Sequence, residues 1–158
     1  MIRIVQGDFA DPSVLELLRI HVTSARSETA PGSAHALDFT QLQSPAISFW
    51  TIWEEQTLLG FGALQTLSPD HGEVKSMHTA QAMRGRGAGT AMLRHIIESA
   101  RARGMSRLSL ETGSSDYFIP ARMLYKRHGF QECPPFGKYV IDPNSVFMSL
   151  DLRTRRIS

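Results

Sequence analysis

The hydrophobic period of the chain changes across one glycine-rich turn, and this change limits the fold more than any other feature. From Ser48 to Gln65 the pattern is alternation and bulk: Phe49, Trp50, Ile52 and Trp53 precede a turn at Glu54-Glu55-Gln56, and Leu58 to Leu64 return as the other arm of a hairpin. Ser68-Pro69-Asp70-His71-Gly72 is a dense turn signal, after which Glu73 to Thr79 reads as the third strand of a meander. Then comes Arg84-Gly85-Arg86-Gly87-Ala88-Gly89. Beyond it Leu93, Ile96, Ile97 and Ala100 fall on one face, so the period has moved from the strand value of about 2 to the helix value of about 3.6. An amphipathic helix ending at Gly104 follows from that spacing.

The remaining segments fit around this unit. Ile2 to Val5 reads as a first strand; Asp11-Pro12 reads as an N-cap followed by proline at the first helical position, and Val14, Leu17, Leu18 and His21 recur at helical spacing. Ser27 to Asp38, with Pro31-Gly32-Ser33, breaks that periodicity and reads as a loop able to line a substrate pocket, followed by a short helix near Phe39 to Leu42. Arg107 to Glu111 alternates as a strand, and Pro120 to Arg127 is helical with Gly129 just past its end. Pro134-Pro135-Phe136-Gly137-Lys138-Tyr139 lies in a loop or an irregular strand, and Ser145 to Leu152 is the final strand. The order is β, α, a β meander, then αβαβ and a last strand: an α/β (α+β) arrangement with no internal repeat.

At 158 residues, 42% of them hydrophobic and 20% charged, residues 1–158 are sized for a single domain with one core. Apolar stretches are short and Met1-Ile2-Arg3-Ile4 opens no basic leader, so neither a membrane span nor a signal peptide is expected, and a cytoplasmic location is. The single cysteine, Cys133, agrees with a reducing compartment. Net charge is only +2, but residues 1–80 carry four basic side chains against nine acidic ones while residues 81–158 carry thirteen against six. A basic second half suits a polyanionic partner, which composition alone leaves as either nucleic acid or a phosphorylated cofactor.

The turn from Arg84 to Gly89 separates these choices. Glycines let a backbone approach a ligand closely, and the first N–H groups of a helix have no intrahelical partner and favour an anion. A P-loop would need a Gly-Lys-Ser/Thr ending, and the dinucleotide fingerprint G-x-G-x-x-G is broken by Thr90, three residues after Gly87. What remains, carried by Arg84, Gly87 and Gly89, resembles the Q/R-x-x-G-x-G/A acetyl-CoA signature of the GNAT superfamily. The resemblance extends in order over Gly72 to Phe130. Glu73-Val74-Lys75-Ser76-Met77-His78-Thr79 is similar to the family's fourth strand, and Ala121-Arg122-Met123-Leu124-Tyr125-Lys126-Arg127-His128-Gly129-Phe130 to its A-x-x-L-Y-x-x-x-G-F ending. Ser33-Ala34-His35-Ala36-Leu37-Asp38 and Asp142-Pro143-Asn144-Ser145-Val146-Phe147-Met148 resemble the YsnE-type branch of bacterial members.

The resemblance implies a GNAT fold: a central mixed, mostly antiparallel sheet flanked by helices, with acetyl-CoA as cosubstrate in a cleft between splayed strands. It implies that the pyrophosphate meets backbone N–H groups around Gly85, Arg86, Gly87, Ala88, Gly89 and Thr90, with Arg84 and Arg86 supplying charge. The pantetheine arm would pair like an added strand along Met77, His78 and Thr79. The implied reaction is direct attack of a neutral amine on the acetyl thioester. An amine near its usual pKa is mostly protonated at neutral pH, so a base is useful, and the departing thiolate benefits from an acid. Tyr125 is the expected acid and Glu73 the expected base. His78 competes for the second role, yet strand alternation puts it opposite Glu73 unless a bulge intervenes.

Phe118 stands where many members carry an asparagine that contacts the cofactor arm, and Ser114 or Ser115 is the candidate substitute. Cys133 has no identified histidine partner and reads as a small hydrophobe. For the acceptor pocket Trp50, Trp53, His35, Asp38, Lys138, Tyr139 and Asn144 are candidates, each with a structural role as the alternative. The tryptophans would favour an aromatic or apolar amine, Asp38 and the acidic first half a cationic one. No His or Cys spacing suits zinc, so no metal is expected. The expected partner is a small-molecule or peptide amine, with no nucleic acid and no membrane, and with a homodimer left open. A module that senses acyl-CoA without turning it over is the alternative function. A nucleic-acid-binding domain is disfavoured because the basic residues are scattered along amphipathic helices without aromatic interleaving.

Overall fold

A computed structural model describes residues 1–27, 39–80, 85 and 87–153. Strand β1 (Ile2–Gln6) precedes helix α1 (Pro12–Ser27) and the short α2 (Phe39–Leu42). The meander follows as β2 (Ile47–Glu54), β3 (Thr57–Ser68) and β4 (His71–Thr79); then come α3 (Ala88–Ala102), β5 (Arg107–Gly113), α4 (Ile119–Arg127), β6 (Gln131–Glu132) and β7 (Ser145–Asp151). These strands form one sheet in the order β1-β2-β3-β4-β5-β7-β6, antiparallel throughout except where β4 meets β5. The mixed, mostly antiparallel sheet expected from the sequence is therefore present. No helix among the described residues is long and apolar enough to cross a membrane.

Local chemistry explains most boundaries. The Asp11 carboxylate accepts the Ser13 N–H at 2.8 Å, so α1 starts with the cap and first-turn proline that the sequence indicates. Helix α4 ends where Gly129 takes φ +95, letting the Phe130 N–H reach the Tyr125 carbonyl at 3.1 Å and the Gly129 N–H reach Lys126. The Tyr125 and Phe130 rings meet across that turn, with centroids 5.8 Å apart. Strand β4 begins at His71, two residues earlier than its sequence pattern indicates, because His71 and Gly72 pair with Arg107 and Leu108 of β5. That long-range ladder overrides the local turn signal.

Two apolar layers sandwich the sheet. On one face Leu64, Val74, Leu108, Leu110 and Met148 meet Met92, Leu93, Ile96 and Ile97 of α3, and Tyr125 of α4 joins this cluster. On the other, Val14, Leu17 and Leu18 of α1 and Leu42 of α2 cover Phe49, Phe61 and Ala63. With about 25 cal/mol gained per Å² of apolar surface buried, these layers supply the main driving force for the fold. They also clamp β4 between them.

Candidate active site

Strand β4 is irregular where chemistry would need it to be. Ala63 of β3 lies opposite Lys75 and Phe61 opposite His78, so Gly62 faces two residues, Ser76 and Met77, across a β-bulge. Ser76 takes φ +55, a region few non-glycine residues adopt, and its buried hydroxyl has no hydrogen-bond partner among the described residues. Such strain and an orphaned polar atom tend to collect at functional sites. The extra residue also reverses the alternation. Glu73, Lys75 and His78 now share the face of Gln65, Ala63 and Phe61, so the condition under which Glu73 and His78 could point the same way is met.

A second irregularity opens the sheet. Strands β4 and β5 pair only over His71–Glu73 against Arg107–Ser109 and then diverge, which leaves the β5-facing edge of β4 without a strand partner from Val74 onward. A cleft of about 430 Å³ fills the gap, walled by Met77, His78 and Thr79 on one side and by Leu124 and Tyr125 on the other. An open strand edge offers N–H and C=O groups to an extended ligand.

The start of α3 closes one end of this cleft. Gly87 is the N-cap at φ +80, with no side chain capping the helix, and its carbonyl accepts from Ala91. The N–H groups of Ala88, Gly89 and Thr90 stand in the first turn, where helices have no internal acceptor, and all three residues line the cleft. Space in front of Gly85 and Gly87 is open, whereas a Cβ on Gly89 would come within 3.4 Å of Leu124. A polyanion followed by a narrow extended arm fits these residues. Arg84 and Arg86 lie outside the described residues; Arg127 of α4 is the arginine seen on the cleft wall.

Tyr125 lines the cleft with its side chain nearly buried. Burial, and secondarily the charge of Glu111, push its phenol up to about 12, so it stays protonated. Glu73 is only 3% exposed. Tyr139 donates a hydrogen bond to its carboxylate at 2.7 Å, Lys75 stands 3.2 Å from the same oxygen, and Lys75 also donates to the Tyr139 hydroxyl at 2.6 Å. Burial first, then Glu73 and Glu111, drive the Tyr139 phenol upward, keeping it a donor.

A family model described as Acetyltransferase (GNAT) family matches residues 14–130, the span that contains the cleft, α3 and α4. The chain belongs to the GNAT family. It is an acyltransferase, 47% identical over 145 residues to the uncharacterized N-acetyltransferase YsnE of Bacillus subtilis (strain 168), covering 92% of this chain and 96% of that protein. It is 43% identical over 152 residues to the uncharacterized N-acetyltransferase YedL of Escherichia coli (strain K12), covering 96% of each. Among solved structures, an acyl-CoA N-acyltransferase from Klebsiella pneumoniae superposes with TM-score 0.79 at 30% identity, covering 96% of this chain and 98% of that one. A Bacillus subtilis acetyltransferase in complex with CoA shares the fold at TM-score 0.70 and 20% identity, covering 96% and 99%.

Within this GNAT frame the residues expected to form the acceptor pocket separate. Trp50 packs its ring against His95 of α3, with Arg103 over it, on the face away from Glu73; Trp53 donates to Thr51 and lies under Arg3. Lys138 is exposed, and Asn144 is taken up in a turn with Asp142, while His35 and Asp38 lie outside the described residues. Of these candidates Tyr139 is the one joined to Glu73.

Phe118 lines the cleft with its ring against Gly113, whereas Ser114 donates to the Pro143 carbonyl at 2.7 Å and neither serine reaches the cleft wall. Burial pushes the Cys133 thiol up, which fits an inert side chain. The sequence pattern does not single out His21, whose helical spacing marks it only as one of a core-facing stripe, yet it lines the cleft beside His78.

Proposed function

We propose that this GNAT protein is an N-acetyltransferase that passes an acetyl group from acetyl-CoA to a primary amine of a small molecule or peptide. The observation that carries this reading is the uncapped first turn of α3 opening onto the gap between β4 and β5, with Tyr125 across it. When bound, acetyl-CoA supplies a thioester whose acetyl carbon is attacked by the amine nitrogen and whose sulfur leaves as a thiolate. The N–H groups of Ala88 to Thr90 hold the pyrophosphate, and the open edge at Met77 to Thr79 orients the arm by strand-like hydrogen bonds.

Tyr125, on the cleft wall, would donate its hydroxyl proton toward the leaving sulfur. A phenol near 12 is a weaker acid than a thiol near 8.5, so complete proton transfer is uphill by ~5 kcal/mol. Its first contribution is therefore a hydrogen bond that strengthens as charge develops on sulfur in a site where water is scarce, and burial of the thiolate narrows the gap. The proton of the amine goes to His78, which lines the cleft and carries an imidazole, a group whose charge ordinarily changes near pH ~6.5. Glu73 is a second reading, favoured by its place on the same face: it would act through water, from within its bonds to Lys75 and Tyr139.

A panel of primary amines, from polyamines and amino acids to peptide N-termini, incubated with acetyl-CoA tests the reading. Release of free thiol together with the mass of one added acetyl group on an amine is the expected result. Tight CoA binding with thiol release no faster than hydrolysis for every amine would favour the acyl-CoA sensor instead. Comparing His78→Gln with Glu73→Gln then assigns the base: loss of rate near neutral pH, partly regained at high pH where more amine is neutral, marks the variant that removed it.

A further inference from the structure

The side of α4 that faces the cleft ends in a cation. Pro120, Ala121, Leu124 and Arg127 fall at helical spacing on one face, and all four line the gap. The first three are apolar. Arg127, in the last turn, is exposed and is the one lysine or arginine among the described residues of the cleft wall. Beside it Lys126 stands 3.8 Å from Glu132, and the His128 ring contacts the Leu124 carbonyl at 2.9 Å, whereas the Arg127 guanidinium makes no hydrogen bond or ion pair with the described residues. Leu124 relates this cation to the start of α3. A Cβ on Gly89 would come within 3.4 Å of the Leu124 side chain, so the two helices meet there. Arg127 is three residues further along α4, about 4.5 Å along the helix axis, which an arginine side chain readily spans.

We infer that Arg127 is a specificity-determining residue for the donor: it takes the 3′-phosphate of CoA, and so favours a thioester carried on the 3′-phosphorylated nucleotide over the same thioester on a carrier without that phosphate. This rests on the reading of the cleft as the acetyl-CoA site. CoA presents two separate anionic groups, a pyrophosphate and a phosphate monoester. The uncapped first turn of α3, with open space before Gly85 and Gly87, suits the pyrophosphate, whose oxygens backbone N–H groups can approach. The monoester has a second pKa near ~6, so at neutral pH it carries close to two negative charges and calls for a full countercharge.

A guanidinium answers that need with a planar fork of N–H donors matched to two oxygens of one phosphate. Arg127 stands on the α4 wall and not within the α3 turn, so it meets a group set apart from the pyrophosphate, and its exposure leaves a terminal phosphate part of its hydration. A cation in the last turn of α4 also offsets the dipole of that helix, which gives Arg127 a structural contribution of its own. That contribution is the same whichever ligand is present. Discrimination between two ligands that differ by one phosphate therefore reads the contact alone.

Calorimetry on the full chain with CoA and with 3′-dephospho-CoA tests the assignment, at one fixed low ionic strength because salt screens an exposed ion pair. The wild-type protein should bind CoA roughly tenfold more tightly than 3′-dephospho-CoA. Arg127→Gln should bring the two affinities within about twofold of each other, chiefly by weakening CoA. Arg127→Glu, which reverses the charge, should make 3′-dephospho-CoA the tighter ligand. Equal weakening of both ligands in Arg127→Gln would put the side chain on the pyrophosphate and overturn the proposal, and a preference for CoA that survives in that variant would overturn it as well. Wild-type protein that binds both ligands equally would remove the role of Arg127 while keeping the cleft as the CoA site. Wild-type protein that binds neither would remove that reading of the cleft, and the proposal with it.

Discussion

The two faces of the sheet are built from the same strands and do opposite things. Against α3 the face is aliphatic and sealed: Leu64, Leu93, Ile96, Leu108 and Met148 show no exposed surface at all. Against α1 it begins in the same way, with Val14 and Leu18 over Phe61, but it also carries two groups of polar contacts, His21 with His78 and Lys75 with Glu73 and Tyr139. Burying polar groups costs free energy unless each finds a partner, and a buried ion pair adds little net stability. The first face therefore holds the fold, and the second uses part of that stability to keep polar groups in place. The bulge at Ser76 is where one strand serves both.

Truncation on the sealed face should give the largest effect on folding. Leu93→Ala removes side-chain volume at a position with no exposure and should cost about 2–5 kcal/mol of unfolding free energy, read by urea titration, with kcat within a few-fold of wild type. A loss below about 1 kcal/mol would break the division of labour. The converse change is Tyr125→Phe, which keeps the ring against Phe130 and deletes only the hydroxyl. Turnover should fall by about a hundredfold, equivalent to ~2.7 kcal/mol, with CoA affinity nearly unchanged. An unaltered kcat would return Tyr125 to the core cluster it packs in.

Gly87→Val tests the end of the cleft that both faces share. The substituted residue must adopt φ +80 or distort the first turn of α3, so CoA affinity measured by calorimetry should weaken at least tenfold, about 1.4 kcal/mol. Unchanged affinity in a folded variant would move the phosphate site elsewhere. The smallest effect concerns pH. Because the folded pKa of His21 is about 3 and its ordinary value 6.5, the unfolded chain binds a proton that the fold refuses, so this contribution is complete above about 6.5 and declines as pH falls toward 3. Urea midpoints at pH 7 and pH 5 should drop less for His21→Leu than for wild type; an equal drop would assign the acid sensitivity to other groups.

Much of this was legible in the residues. The period change across Arg84 to Gly89 located β4 and α3, Asp11-Pro12 and Gly129 located helix ends, and local rules sufficed because each involves neighbours within one or two turns of chain. The glycines of the turn and Tyr125 were picked out because their contiguous motifs resemble those of the family, and Gly85, Gly87, Gly89 and Tyr125 line the cleft. Trp50 and Trp53 were pocket candidates with a structural role as the alternative, because bulk in an alternating strand says nothing about which face a ligand uses; Trp50 packs against His95 and Arg103, and Trp53 lies under Arg3.

Four features had to wait for the tertiary structure. His71 and Gly72 joined β4 only through pairing with β5, and Gln131–Glu132 is too short to show any period. The bulge that turns His78 to the side of Glu73 comes from register between β3 and β4, which no alternation within one strand can report. The contacts of Glu73 with Tyr139 and of His21 with His78 join residues 66 and 57 positions apart. Sequence determined the elements because hydrophobic period and capping act over a few residues; the packing of α1 and of the β6–β7 loop onto one sheet face decided which side chains meet, because that choice is made by contacts between segments distant in the chain.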